Sequence, residues 1–207
     1  GKSTIAKLLA AKMNCIYLDT GAMYRTVGLL AVRTNTDRHD DAALAELLKN
    51  ADIRVLRVDG SQHMALGGED VEKLIRTPEI SMAASDVASC PSVRRALVAL
   101  QQKIAAGCDV VMDGRDIGTR VLPDADYKFF LTASDKVRAQ RRYDELKAKG
   151  ESVTLQEVLE DVRRRDEQDT TRAESPLTIA DDATEVETDD LGIDEVVTVL
   201  MALMGRF

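Results

Sequence analysis

The sequence predicts an α/β protein in which helices flank a mainly parallel sheet, and two observations support this prediction. Short apolar runs at 15–19 (CIYLD), 109–113 (DVVMD) and 127–132 (YKFFLT) have the length and composition of buried parallel strands. Stretches with helical spacing of apolar residues separate these runs, as expected when parallel strands are joined through helices. The 207 residues, 44% of them apolar, are enough to form one sizeable core.

The remaining elements follow the same reading in chain order. Helical periodicity is present at 4–13, 20–35, 40–51, 79–89, 92–107, 134–149, 154–168 and 193–204. A weak strand is predicted at 184–188. Between 52 and 78 the pattern changes to short β pieces around a Gly-containing hairpin, including the segment 69–77, which indicates an insertion into the α/β pattern.

Composition and charge exclude several classes of function. No apolar run approaches the roughly 20 residues of a membrane span, so no membrane partner is expected. The net charge of −8 lies entirely within 173–207, so the acidic balance says little about the rest of the surface. Aromatic residues make up 3% and Trp is absent, which argues against a nucleic-acid platform. Three widely spaced cysteines favour reduced thiols and a cytoplasmic location.

The chain opens with GKST, which matches the second half of the phosphate-binding loop G-x-x-x-x-G-K-[ST]. In such a loop Gly1 and Thr4 border the phosphates, Lys2 reaches the β and γ oxygens, and Ser3 binds Mg²⁺. The alternative is an ordinary helix start with a Ser/Thr cap, and the tetrapeptide alone leaves both interpretations open.

Two further motifs follow apolar strands. In LDTGAMYR (18–25), Thr20, Tyr24 and Arg25 offer hydroxyls and a guanidinium at a strand's carboxyl end, where open parallel sheets bind ligands. The alternative is a Thr cap with Tyr and Arg on a solvated face. In VVMDGRDIGT (110–119), a turn at Gly114 presents Asp113, Arg115 and Asp116. A guanidinium suits a phosphate, and a fixed carboxylate can accept a hydrogen bond from a base amine. The weaker alternative is a turn with a local Arg–Asp pair.

Two arginine-bearing helical segments are joined by a Gly turn. In the second, the spacing of Arg165, Asp169 and Arg172 places them on one stripe. In the first, Arg138, Arg141 and Arg142 share another stripe. Such charges usually form solvated faces with i,i+4 pairs. The alternative is a lid that closes over a transferring phosphoryl group and supplies cations to it.

Taken together, these motifs resemble the bacterial-type cytidylate kinases, of the P-loop nucleoside monophosphate kinase group. The resembling stretches are GKST (1–4), DTGAMYR (19–25), GGEDVEKLIRT (67–77), SVRRAL (92–97), MDGRDIGTRVLPDAD (112–126), RRDEQDTTRAESPL (164–177) and the terminal LGIDEVV. The resemblance implies a P-loop NTPase-like core, a small inserted monophosphate-binding domain and a short helical lid. The expected boundaries are 1–51, 87–136 and 171–207 for the core, 52–86 for the insert and 137–170 for the lid.

The implied reaction transfers the γ-phosphoryl of ATP to CMP or dCMP in the presence of Mg²⁺. By resemblance, the donor loop contains Gly1, Lys2, Ser3 and Thr4, with Ser3 toward the metal. The remaining positions fall into four groups: Ser85, Arg94 and Asp116 at the cytosine; Thr20, Tyr24, Arg25, Arg115 and Arg172 at the acceptor phosphate; Arg165 and Asp169 at the sugar; Arg141 and Arg142 in the lid. Lys2, Arg141, Arg142, Arg165 and Arg172 are the expected catalytic cations. A buried Asp116 would pair with the cytosine amine and oppose the uracil carbonyl.

The resemblance places a β-strand and the front of the phosphate loop before Gly1, so the chain as written is expected to bind ATP poorly and to be less stable than the intact enzyme. Other interpretations stay open: a P-loop kinase for UMP, AMP or another metabolite, a nucleotide-dependent switch protein, or an interaction module whose arginines bind an acidic partner. The expected partners are small nucleotides rather than nucleic acid, and the protein is expected to be a monomer.

Overall fold

A computed structural model describes residues 1–58, 60–171 and 176–206. The helices in this part of the chain are α1 (Lys2–Met13), α2 (Thr20–Arg33), α3 (Asp41–Lys49), α4 (Pro78–Val87), α5 (Pro91–Ala105), α6 (Asp135–Ala148), α7 (Leu155–Thr171) and α8 (Ile193–Leu203). The strands are β1 (Ile16–Asp19), β2 (Ile53–Val58), β3 (Ser61–Leu66), β4 (Glu69–Asp70), β5 (Val110–Asp113), β6 (Phe129–Thr132) and β7 (Thr184–Glu187). The α/β prediction is confirmed.

Parallel pairing defines the main body of the protein. Strand β1 pairs in parallel with β5, and β6 pairs in parallel with β7. Strands β2, β3 and β4 form a separate antiparallel sheet in the segment where the sequence pattern changes. Because β1 and β5 are in register from Ile16–Val110 to Asp19–Asp113, their carboxyl ends stop side by side.

Three apolar clusters hold these elements together. The largest joins α2, α4 and α5 with the inner face of β3, and Met23, Val27 and Val93 are fully buried in it. A second cluster packs α1 and α8 against β5, β6 and β7. A small third cluster joins α6 and α7. The two parallel pairs are therefore covered by helices, as sheets with apolar strands require.

The segment 69–77 differs from the prediction. Only Glu69–Asp70 forms a strand, and Leu74–Arg76 forms a turn of 3₁₀ helix. The reason is the i,i+4 spacing of Val71 and Ile75, both fully buried, with the Ile75 amide donating to the Val71 carbonyl. That spacing places two apolar side chains on one side of a helical turn, whereas a strand would need an i,i+2 pattern.

The loop after β5 also contains an element that the sequence did not predict. Residues Ile117–Val121 form a π-helical turn, which begins where the amides of Arg120 and Val121 both donate to the Asp116 carbonyl. Val121 is buried, so the turn fastens this loop to the core. Among the described residues, no helix is both long enough and apolar enough to cross a membrane.

Candidate active site

The candidate site is built where β1 and β5 end. The Asp19 carboxylate caps α2 by accepting a hydrogen bond from the Ala22 amide at 2.9 Å. The hydroxyl of the next residue, Thr20, donates to the Asp113 carbonyl across the strand pair at 2.7 Å. The carboxyl ends of neighbouring parallel strands are where α/β sheets bind ligands, and the contact fixes Thr20 at this edge.

The first turn of α1 meets the same edge through Asp113. The Ser3 hydroxyl donates to Asp113 Oδ2 at 2.6 Å, and the Tyr17 hydroxyl donates to Oδ1 at 2.9 Å. Burial and the adjacent Asp113 charge raise the pKa of Tyr17, so the phenol stays protonated and keeps donating. Asp113 is thereby oriented from both sides, with its carboxylate beside the Ser3 hydroxyl.

Lys2 lies in a crowded, positively charged part of the site. Solvent reaches much of its side chain, yet the surrounding protein desolvates the ammonium group and the Arg115 charge opposes it. Together these effects lower the pKa of Lys2 to about 8. An anion placed beside Lys2 would relieve the repulsion between the two cations, which is the property expected of a phosphate site.

Arg94 and Asp116 form a buried ion pair in the interior wall of the site. Only 4% of the Arg94 side chain and 7% of the Asp116 side chain are exposed. The Arg94 guanidinium also donates to the Ala88 carbonyl at 3.2 Å and lies over the Tyr24 ring, 5.7 Å from its centroid. Because a buried charge pair is costly to desolvate, its position close to the strand ends makes the pair a candidate for ligand recognition.

A second ion pair connects the strand end to α7. Arg115 Nε donates to Asp169 Oδ2 at 2.6 Å, across 54 positions of sequence. The pair links the loop after β5 to the end of the α6–α7 hairpin, the region predicted as a lid. Asp169 therefore contacts the loop that follows β5.

Asp19 is the centre of a third charged cluster. Its Oδ2 atom accepts from Arg25 Nη2 at 2.9 Å and from Arg76 Nη1 at 2.9 Å. Burial alone would raise the pKa of Asp19, but the two guanidinium charges outweigh it and lower the pKa below its usual range. The Gln62 side chain holds the Asp19 backbone, accepting from the amide at 2.6 Å and donating to the carbonyl at 3.2 Å.

Other predicted residues make contacts away from this edge. Ser85 is exposed and donates to the Ser81 carbonyl of its own helix. Arg142 and Arg165 pair within their own helices, with Glu145 and Asp161 respectively. Arg172 lies outside the described residues.

Arg141 is bound to main chain. Its Nη2 donates to the carbonyls of Thr188 at 2.6 Å and of Asp189 and Leu191 at 3.2 Å each. The contact attaches α6 to the loop between β7 and α8.

Four residues of the site have no role assigned from the sequence: Asp19, Gln62, Arg76 and Asp113. The sequence indicates Asp113 only as the end of a strand, although a carboxylate directly after an apolar run is a signal for a ligand-binding position. Arg76 was missed, and its only local signal is the i,i+4 spacing to Glu72, with which it pairs. Gln62 and Asp19 meet across 43 positions, which no local pattern indicates.

The described residues contain no cluster of three or more His, Cys, Asp or Glu side chains that could hold a metal ion. Ser3 and Asp113 nevertheless bring a hydroxyl and a carboxylate to one point, and oxygen ligands few in number suit Mg²⁺ that also binds phosphates. The residues present therefore fit a nucleotide-bound magnesium ion.

A parallel α/β fold with a GKST helix start and cationic strand ends is consistent with the class of P-loop kinases. Comparison with known proteins identifies the family within that class. The sequence profile of the family described as cytidylate kinase matches residues 1–206. The chain belongs to the cytidylate kinase family.

Individual relatives agree with this assignment. The chain is 48% identical to a cytidylate kinase of Caldicellulosiruptor bescii over 206 residues, covering 100% of this chain and 91% of that protein. It is 48% identical to a cytidylate kinase of Carboxydothermus hydrogenoformans, with 100% and 93% covered. A cytidylate kinase of Bacillus subtilis is 47% identical over 196 residues, with 95% and 88% covered.

Proposed function

We propose that the protein transfers the γ-phosphoryl of ATP to CMP or dCMP, giving ADP and CDP or dCDP. The observation that supports this most is the buried Arg94–Asp116 pair beside a cation-lined strand edge, in a chain of the cytidylate kinase family. Phosphoryl transfer depends on positioning and on charge stabilisation, and the site offers both without a covalent nucleophile.

The proposed domain organisation follows the boundaries expected from the sequence. Residues 1–51, 87–136 and 171–207 form the P-loop core, 52–86 the monophosphate-binding insert, and 137–170 the lid. The separate antiparallel sheet of β2, β3 and β4 supports the insert, and the apolar cluster of α6 and α7 supports the lid.

On the donor side, we assign Gly1, Lys2, Ser3 and Thr4 to the ATP phosphates. Ser3, with Asp113, would hold Mg²⁺, which when bound supplies positive charge to the donor phosphates. Lys2 would add its ammonium at the same place, where desolvation and the Arg115 charge lower its pKa to about 8. Arg141, Arg142, Arg165 and Arg172 remain proposed as cations that act on the transferring group.

On the acceptor side, the residues divide by the part of CMP that they would contact. Thr20, Tyr24, Arg25, Arg115 and Arg172 are assigned to the phosphate, Arg165 and Asp169 to the sugar, and Ser85, Arg94 and Asp116 to the cytosine. Asp116 can accept from the exocyclic amine, and Arg94 can donate to a ring acceptor. The contact of Arg94 with the Tyr24 ring joins the base group to the phosphate group.

Acceptor-dependent ADP release tests the proposal. Full-length protein is incubated with Mg·ATP and, separately, with CMP, dCMP, UMP, AMP and shikimate. We expect rapid ADP release with CMP or dCMP and at least about tenfold lower kcat/KM with the others. Preference for another acceptor would show that the protein is a kinase for that acceptor instead. ADP release that does not depend on any acceptor would favour a nucleotide-dependent switch protein. Elution as a monomer and no retention on single-stranded DNA are expected in the same preparation.

A further inference from the structure

Arg76 is an arginine of the site to which neither the motifs nor the resemblance assigned a role. It lies in the 3₁₀ turn Leu74–Arg76, within the proposed insert, and its side chain is 43% exposed. Its Nη1 donates to Asp19 Oδ2, the atom that also accepts from Arg25 Nη2, and both distances are 2.9 Å. Two guanidinium groups from different parts of the protein thus share one carboxylate oxygen.

Glu72 fixes the orientation of Arg76. Arg76 Nε donates to Glu72 Oε1 at 2.8 Å, and Nη2 donates to the same oxygen. Three of the five N–H groups of a guanidinium are used in these contacts with Glu72 and Asp19, which leaves two for an incoming anion. Arg76 therefore has a fixed direction and spare donors on a solvent-accessible side chain.

The shared carboxylate lies at the acceptor edge of the site. Asp19 immediately precedes Thr20, whose hydroxyl contacts the Asp113 carbonyl. A Cβ placed on Gly114 would approach the Thr20 hydroxyl to 3.0 Å, so the loop leading to Arg115 passes directly beside Thr20. The Asp19 cluster and the Arg115 loop consequently flank the same strand ends.

We propose that Arg76 is a further residue that binds the acceptor phosphate, and that Asp19 holds Arg25 and Arg76 at this position until the acceptor arrives. The proposal rests on the proposed function. A phosphate monoester offers three acceptor oxygens and up to two negative charges, whereas Asp19 offers both guanidiniums a single oxygen. Phosphate can therefore accept from both arginines at separate oxygens, with Glu72 still orienting Arg76.

The competing explanation is that Arg76 only fastens the insert to the core. Gln62 of β3 already connects the insert to the core through two hydrogen bonds to the Asp19 backbone. The two roles predict different ligand behaviour. Replacing a phosphate-binding arginine weakens the binding of ligands that have a phosphate. Replacing an arginine that only connects the insert to the core changes the binding of every acceptor-site ligand to the same degree.

The test compares CMP with cytidine, which has the same base and sugar and no phosphate. Full-length unsubstituted, Arg76→Gln and Arg76→Lys proteins are titrated calorimetrically with each ligand, and unfolding midpoints are recorded for all variants. Arg33→Gln is the matched control, because Arg33 is a similarly exposed arginine whose ion pair with Glu69 also reaches into the insert.

We expect Arg76→Gln to weaken CMP binding by about 10- to 100-fold and to leave cytidine binding within about twofold. Arg76→Lys should weaken CMP binding less than Arg76→Gln does, and Arg33→Gln should change neither ligand. If Arg76→Gln does not fold, the same comparison of CMP with cytidine on Arg76→Lys distinguishes the two roles of Arg76.

Equal weakening of CMP and cytidine, or unchanged CMP binding, would overturn the assignment of Arg76 while leaving the proposed function intact. An absence of CMP-dependent ADP release from the unsubstituted protein would instead overturn the proposed function, and this inference with it.

Discussion

Replacing Asp116 by Asn is the most direct test of how the site selects its base. Asp116 is buried against Arg94, and an Asn of nearly the same shape removes the charge without opening a cavity. Cytosine presents an amine at ring position 4, which donates, and uracil presents a carbonyl, which accepts. A carboxylate can only accept, whereas a carboxamide can turn to offer either an oxygen or an NH₂ group.

The size of the effect follows from the burial of the pair. Because Asp116 and Arg94 are almost completely shielded, the proposed contact to the cytosine amine would be made away from water, where a mismatched polar group costs about 1–3 kcal/mol. That cost corresponds to about a 5- to 150-fold preference for CMP over UMP in kcat/KM. We expect Asp116→Asn to remove most of this preference, measured as acceptor-dependent ADP release on the full-length protein.

The same substitution also weakens the fold. Arg94 would keep its bond to the Ala88 carbonyl and its place over Tyr24, and the Asn oxygen can still accept from it. The expected loss in the free energy of unfolding is therefore about 1–3 kcal/mol, below the 3–5 kcal/mol for a buried charge left without any partner. Urea denaturation measures this loss directly.

Asp124→Asn is the matched control, because Asp124 is an exposed carboxylate in the same loop. It should change neither the CMP-to-UMP preference nor the unfolding free energy. An Asp116→Asn protein that is folded and keeps the original preference within about twofold would refute the account of base selection, since the preference would then arise from other contacts.

Three further outcomes are expected. Gly28→Ala should lower the unfolding free energy by about 1–3 kcal/mol in urea denaturation, because its Cβ would lie 3.0 Å from the α4 backbone, whereas Gly107→Ala, with ordinary clearance, should stay within about 0.5 kcal/mol. ATP affinity should fall as the pH rises above about 8, because Lys2 then loses its proton. Bound phosphate favours the charged ammonium, so the pKa of Lys2 should be higher in the ATP complex than in the free protein. A calorimetric pH series measures the dependence, and Lys2→Arg should abolish it. Arg141→Met should cost about 1–3 kcal/mol of unfolding free energy, because three carbonyls lose their donor, while Arg142→Met, which removes an exposed i,i+3 pair, should cost less than about 1 kcal/mol.

The secondary-structure elements could be predicted closely because their determinants are local. Apolar runs mark β1, β5 and β6, and helical spacing marks the helices, so most boundaries agree within two or three residues. The strand prediction for 69–77 was wrong because the segment has few buried apolar residues, Val71 and Ile75, and their i,i+4 spacing spans a single turn. One turn of helix has too little periodicity to be distinguished from a short strand.

The candidate site could be predicted only in part. Strand-end motifs located Thr20 and Asp116, because the end of a parallel strand is a position fixed by the fold. The ion pairs of the site join distant segments of the chain. Arg94 is 22 positions from Asp116, and Arg115 is 54 positions from Asp169. A guanidinium has similar local sequence surroundings whether it binds a ligand, a carboxylate or, as Arg141 does, three main-chain carbonyls.

The charges of the site also explain how arginines can be kept close together without a ligand. Arg25 shares Asp19 with Arg76, and Arg115 pairs with Asp169, so each guanidinium has an anionic partner before any nucleotide is bound. In the proposed site, a bound phosphate would replace these carboxylates as the partner of the arginines, and the net free energy of binding would be the difference between phosphate and carboxylate contacts. Because the arginine side chains are already ordered, little conformational entropy is lost on binding. A site of this kind favours a dianionic phosphate, which can outcompete a carboxylate, over a monoanionic ligand, which offers the arginines no more than Asp19 and Asp169 already do.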